Sequence, residues 1–272
     1  MKPTQFLAAG FVAMTLIGGC GSDQKADATR VGNVSTASYG VLPGSPAKPL
    51  ALVFTTDVAN SLNGTFTSVS KTLQAAGYTI AAVDVTCHGQ DLQAGETAGL
   101  GCWATRVQQG NGDIFAPMVK RASDAISDLV AKGVASGVDV VAIGVSRGGY
   151  AALRAAAADS RIGTVVLLSP VTDLARLTEF RGIVVDQSMY GLANDFAKFA
   201  GRRIFMQIGN SDDRVGTAEA ISFGVGVVAA GAGNPVDFTT IITPNKGHGT
   251  ASQDIAAQWI LKGPESDSGN AP

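Results

Sequence analysis

From residue 50 onward, short apolar runs alternate with longer stretches of mixed polarity. The apolar runs fall at 50–55, 79–85, 138–144, 163–168, 203–208 and 236–242, and they are rich in Val, Ile, Leu and Phe. They are nearly continuous rather than alternating, the pattern of strands buried on both faces. Between them, residues 61–76, 113–132, 147–158, 217–230 and 250–261 read as helices. Gly77 and Gly133 fall just past two of these, where a left-handed residue ends a helix. Strand and helix in alternation predict an α/β fold: a mostly parallel sheet flanked by helices. Residues 172–201 break the rhythm, mixing Phe180, Val184, Val185, Met189, Tyr190, Leu192, Phe196 and Phe199 with charges between two strands, and read as a small helical cap or lid.

The region before residue 50 differs from the rest. Lys2 followed by an apolar stretch from Phe6 to Gly19 reads as an export signal, too short to span a bilayer as a helix. Its end, Leu16-Ile17-Gly18-Gly19-Cys20, resembles the bacterial lipobox, in which the cysteine receives the lipid. That resemblance implies a signal peptide over 1–19 and a mature chain anchored to the cell envelope through Cys20, since acyl chains hold a protein on a membrane without a spanning helix. No Asp follows Cys20 directly, which in a Gram-negative host implies the outer membrane. Residues 20–49 are polar, contain Ser, Gly and Pro, and read as a flexible tether; the catalytic domain is expected at 50–262, with 263–272 a disordered tail. No family-type first strands stand out before residue 50, so the sheet is either trimmed or recruits part of the tether.

The remaining composition narrows the chemistry. With 272 residues and 46% hydrophobic side chains, the chain can bury one full-sized core. A formal net charge of −2 and no Lys/Arg run argue against nucleic acid as a partner. Two histidines do not make a metal-ligand cluster, and no cofactor is called for. Apart from Cys20, the cysteines are Cys87 and Cys102, which an exported chain would pair as a disulfide. It would close a loop of about 15 residues, corresponding to roughly 3 kcal/mol of chain entropy.

The decisive stretch is Val138-Asp139-Val140-Val141-Ala142-Ile143-Gly144-Val145-Ser146-Arg147-Gly148-Gly149-Tyr150, a strand that runs through G-x-S-x-G into an alanine-rich helix. Such a junction sets a serine on a strained turn whose neighbours must be small, with its hydroxyl at a helix N-terminus. Here the chain resembles the α/β-hydrolase superfamily, in particular its dienelactone-hydrolase and prolyl-oligopeptidase-like branch, over about residues 50–261. The resemblance implies a triad in the order Ser, acid, His. Gly209-Asn210-Ser211-Asp212-Asp213-Arg214-Val215 is similar to the acid loop and puts that role on Asp212, with Asp213 the alternative. Thr243-Pro244-Asn245-Lys246-Gly247-His248-Gly249-Thr250 looks like the histidine loop, making His248 the base. The oxyanion donors implied are the backbone N–H of Arg147 and one from Thr56 or Asp57, in a loop that departs from the family's usual His-Gly pattern.

Those roles imply a serine hydrolase that cleaves a small-molecule carboxylic ester through an acyl-enzyme. A peptidase of the prolyl-oligopeptidase type is the alternative, set back by the expectation that no propeller-sized N-terminal domain is present. A non-catalytic, lipid-anchored binding protein on the same scaffold is another. His88, in Thr86-Cys87-His88-Gly89, reads as part of a surface loop or as a substrate contact, and Trp103 as packing.

Overall fold

A computed structural model of the protein describes residues 39–63, 68–244, 246–248 and 253–264. Seven strands form one sheet: β1 (Tyr39–Leu42), β2 (Pro49–Phe54), β3 (Thr79–Val83), β4 (Ser136–Val145), β5 (Ile162–Leu168), β6 (Arg203–Gly209) and β7 (Asp237–Thr243). Their order across the sheet is β1-β3-β2-β4-β5-β6-β7, parallel throughout except for β1, which runs antiparallel to β3.

The helices are α1 (Val58–Asn63), α2 (Ser68–Ala75), α3 (Leu100–Gln109), α4 (Ala116–Ala131), α5 (Arg147–Ala158), the single turn α6 (Gln187–Tyr190), α7 (Thr217–Ala230) and α8 (Gln253–Lys262). Alternate residues of each central strand feed opposite faces. Leu52, Phe54, Ala142, Leu167 and Met206 pack with α3, α4, α5 and α7, whereas Val53, Val141, Ile143, Val166 and Phe205 pack with α1, α2 and α8. Two buried apolar layers therefore explain why the strands read as continuous hydrophobic runs.

After β2 the chain turns to β3 on one side, then crosses back to place β4 on the other. The carboxyl ends of β2 and β4 thus lie side by side at the point where the winding reverses, where open α/β sheets hold their ligands.

Two expectations need correction, whereas the small helical cap between β5 and β6 is as expected. Residues 39–42, assigned to the tether, form β1, with Tyr39, Val41 and Leu42 buried. Four residues between Ser38 and Pro43 are too few to display a period, and the strand is defined by its pairing to β3 rather than by its own pattern. The helix expected over 61–76 is α1 and α2, separated by residues outside the described ones, and α3 is an additional helix that buries Leu100, Cys102, Trp103, Ala104 and Val107. The cap at 172–201 is built from short helical turns at Leu174–Arg176, Thr178–Phe180 and Leu192–Phe199 besides α6, with no longer helix in it. Residues 1–38, including Cys20, the start of the last expected helix at 250–252, and 265–272 of the expected tail lie outside the described residues.

Candidate active site

Ser146 stands between the end of β4 and the first turn of α5, with φ 54° and ψ −118°. A non-glycine residue at such a φ is held there by its surroundings. Its amide donates to the Leu168 carbonyl at 2.9 Å, and its carbonyl accepts from Gly149 and Val171, each at 2.9 Å. The flanking glycines answer a demand for space. A Cβ on Gly148 would sit 1.8 Å from the Phe54 carbonyl oxygen, and one on Gly144 would sit 2.4 Å from the Gly148 carbonyl oxygen. Both approaches are forbidden to any larger residue, Gly148 by the packing of the turn against β2 and Gly144 by the first turn of α5.

Two further loops converge on Ser146 from the carboxyl ends of β6 and β7. Ser211 donates from its amide and its hydroxyl to the Lys246 carbonyl at 3.0 Å each, and Asn210 donates its amide to Thr243 at 3.0 Å. Gly209 permits this contact, since a Cβ there would lie 2.2 Å from the Lys246 carbonyl oxygen. The stitching brings His248 onto Asp212: His248 Nδ1 lies 3.0 Å from Asp212 Oδ2, and His248 Nε2 lies 3.0 Å from Ser146 Oγ.

Asp212 is 2% exposed, and its other oxygen, Oδ1, accepts from the amides of Arg214 and Val215 at 3.0 and 3.1 Å. A buried carboxylate so satisfied is fixed in orientation, with its second oxygen turned to the imidazole. It is Asp212, not the exposed Asp213, that meets the histidine. A carboxylate on Nδ1 selects the tautomer with hydrogen there, leaving the Nε2 lone pair facing the hydroxyl.

Of the expected oxyanion residues, Arg147 adjoins this serine in the chain. Arg147 begins α5, so its backbone N–H belongs to the helix's open first turn. Thr56 and Asp57 follow β2, whose Phe54 pairs with Gly144. Thr56 uses its carbonyl to accept from Val85 at 2.8 Å. The Asp57 carboxylate caps α1, accepting from the Asn60 amide at 2.9 Å and the Asn60 side chain at 2.6 Å. Burial pushes the Asp57 carboxyl pKa up, but the Asn60 hydrogen bonds outweigh it and hold the group below its ordinary value. The side chain of Asp57 is thereby committed to the turn that starts α1.

Cys87 and Cys102 form a disulfide that ties the loop after β3 to α3. This loop is not a surface feature: His88 is 5% exposed, with Nδ1 3.0 Å from the Thr86 carbonyl oxygen and Nε2 3.0 Å or less from the Arg147 guanidinium, at 2.9 Å from Nη1. Trp103 is fully buried, donates to the same Thr86 carbonyl at 2.7 Å and packs edge-on against Phe115. The contact between His88 and the Arg147 side chain spans 59 positions and carries no sequence signal.

No family model and no curated protein matches this chain. Solved structures do. The dipeptidyl peptidase 4 of Porphyromonas gingivalis aligns with a TM-score of 0.59 at 15% identity, over 87% of this chain and 35% of that one. A prolyl endopeptidase aligns at 0.59 and 20% identity, over 83% of this chain and 35% of that one. A cold-adapted esterase from an Arctic intertidal metagenomic library aligns at 0.60 and 14% identity, over 86% of this chain and 96% of its own. The chain has the α/β-hydrolase fold. It spans about a third of the length of the peptidases it matches. Ser146 stands at the strand-to-helix turn between β4 and α5, and the loops after β6 and β7 bring Asp212 and His248 to it.

Proposed function

We propose that this protein is a serine hydrolase that cleaves carboxylic esters, with Ser146 as nucleophile, His248 as general base and acid, and Asp212 as the group that orients the imidazole. The observation that carries the reading is the unbroken chain of contacts from Asp212 Oδ2 through the imidazole to Ser146 Oγ, both at 3.0 Å. A serine hydroxyl is a weak nucleophile at neutral pH, and an acceptor at hydrogen-bond distance is what activates it.

In the first half of the reaction Oγ bonds to the ester carbonyl carbon while its proton passes to His248 Nε2. The tetrahedral oxyanion is met by the Arg147 N–H and by an N–H of Thr56 or Asp57. Collapse breaks the bond to the alcohol oxygen, which takes the proton from Nε2. Water then repeats the sequence on the acyl-enzyme, releasing the acid and restoring Ser146. No redox or metal-bound step is needed for this balance.

Alignment with an esterase over 96% of that protein's length supports esters over peptides. The peptidase matches keep a peptide reading in play, and the two are separated by a panel of short-chain para-nitrophenyl esters set against aminoacyl para-nitroanilides. Turnover of the esters, absent in Ser146→Ala, is expected; turnover confined to the anilides would favour a peptidase.

We also infer export and lipid attachment at Cys20, an inference supported by the sequence of residues 1–20 and by the Cys87–Cys102 disulfide, a bond that persists in oxidising compartments.

A further inference from the structure

Among the described residues, seven arginines have a carboxylate oxygen within 3.5 Å. Arg147, the residue next to the nucleophile, has none, although it is only partly exposed. Its guanidinium meets His88 Nε2 through Nη1 at 2.9 Å, and its Nε and Nη2 donate to no described residue. The histidine cannot act as a counter-ion. A carbonyl oxygen only accepts, so the contact of His88 Nδ1 with Thr86 puts the ring's proton on Nδ1 and makes Nε2 the acceptor of a neutral imidazole. Burial lowers the His88 pKa, and the Arg147 cation lowers it further.

The acid whose field reaches Arg147 is Glu179, but both of its oxygens are clasped by Arg214, at 2.8 and 2.5 Å. Gly99 borders the guanidinium, with the position of a Cβ there 3.7 Å from Nη1, ordinary van der Waals contact. A half-buried cation with no carboxylate in contact is costly to hold, and a planar fork with open donors matches a carboxylate.

We propose that the Arg147 side chain receives a carboxylate carried by the substrate, so that the ester cleaved at Ser146 bears an acid group on its acyl or alcohol part. This rests on the hydrolase reading above, and two readouts keep the two claims apart. The first compares kcat/KM for mono-para-nitrophenyl adipate with that for para-nitrophenyl heptanoate, a neutral ester of similar length. The ratio is expected to favour the adipate ester in the wild type and to fall roughly tenfold or more in Arg147→Gln, with partial recovery in Arg147→Lys, which restores charge without the fork.

The second readout, calorimetric binding of adipate against adipamide, needs no turnover. Adipate should bind the wild type more tightly, and the difference should vanish in Arg147→Gln. If no ester is cleaved but adipate binding depends on Arg147, the anion site stands and the hydrolase reading fails. If heptanoate ester is cleaved while neither the ratio nor adipate binding responds to Arg147, the anion site is overturned and the hydrolase reading stands. Should Arg147→Gln fail to fold, Arg147→Lys and the wild type decide: an absent preference for adipate over adipamide in the wild type overturns the proposal.

Discussion

At the scale of single residues, the site turns on which aspartate faces the imidazole and on what backbone the serine occupies. The acid loop favours Asp212 by its place in the motif but leaves the adjacent Asp213 open; burial and the amides of Arg214 and Val215 separate the two, because Asp212 is turned inward. Asp212→Asn should therefore lower kcat by about 10³–10⁴, the size of effect seen when the wrong imidazole tautomer is favoured, whereas Asp213→Asn should leave steady-state ester hydrolysis near wild type. Equal losses in both would contradict the assignment. Ser146 itself holds a φ of 54°, a conformation that costs a side-chain-bearing residue about 1–3 kcal/mol. Ser146→Gly should relieve it, raising the denaturant midpoint relative to Ser146→Ala even though glycine has more unfolded-state entropy to lose. A Gly variant less stable than the Ala variant would show that the turn is not strained.

At the scale of elements, the loop between β3 and α3 is held by two devices. The disulfide closes a 15-residue separation, and Arg106 clasps Glu96 through two nitrogens at 2.8 and 2.6 Å while also reaching Asp91. Replacing both Cys87 and Cys102 by Ser should cost about 3 kcal/mol, or roughly 6–12 °C in Tm by calorimetry. The Glu96 contribution has a defined pH window. The Arg106 hydrogen bonds lower the Glu96 pKa from its ordinary 4.5 to about 2. Its stabilisation is thus fully present above pH 4.5 and is lost as pH falls toward 2. Thermal melts of Glu96→Gln against wild type should differ above pH 4.5 and converge as pH falls toward 2; a difference that grows in acid would reverse the sign and refute the clasp. The elements also show what a sequence carries. Strands buried on both faces announce themselves as runs such as Val140-Val141-Ala142-Ile143, and the elbow is legible because its glycines are compelled, Gly148 by contact with Phe54 and Gly144 by the first turn of α5. β1 and α3 are not, since one is too short for a period and the other is anchored by Cys102 and Trp103 to a distant loop. His88 against Arg147 is equally hidden, being a product of packing across two loops.

At the scale of the whole molecule, the order of strands explains why residues 56, 146, 212 and 248 gather at one edge of the sheet: the chain reverses its winding beside β2, and the loops after β4, β6 and β7 all emerge on that edge. The sheet's class and the order in which Ser146, Asp212 and His248 follow one another were legible from the sequence, whereas under the proposed function the choice of acyl and alcohol groups depends on the surface formed by the cap and the loops around it. The proposed anchor belongs to this scale as well. Mature protein should partition with membranes and release into the soluble fraction in Cys20→Ser, checked by fractionation and intact mass; a soluble wild type without added lipid mass would contradict it. The central claim, that an imidazole activates Ser146, is tested most directly by intact-protein mass spectrometry after exposure to a fluorophosphonate. One adduct mapping to Ser146, absent in Ser146→Ala and strongly slowed in His248→Ala, is the predicted result, and a folded wild-type protein that forms no adduct, or forms it on another residue, would contradict the account.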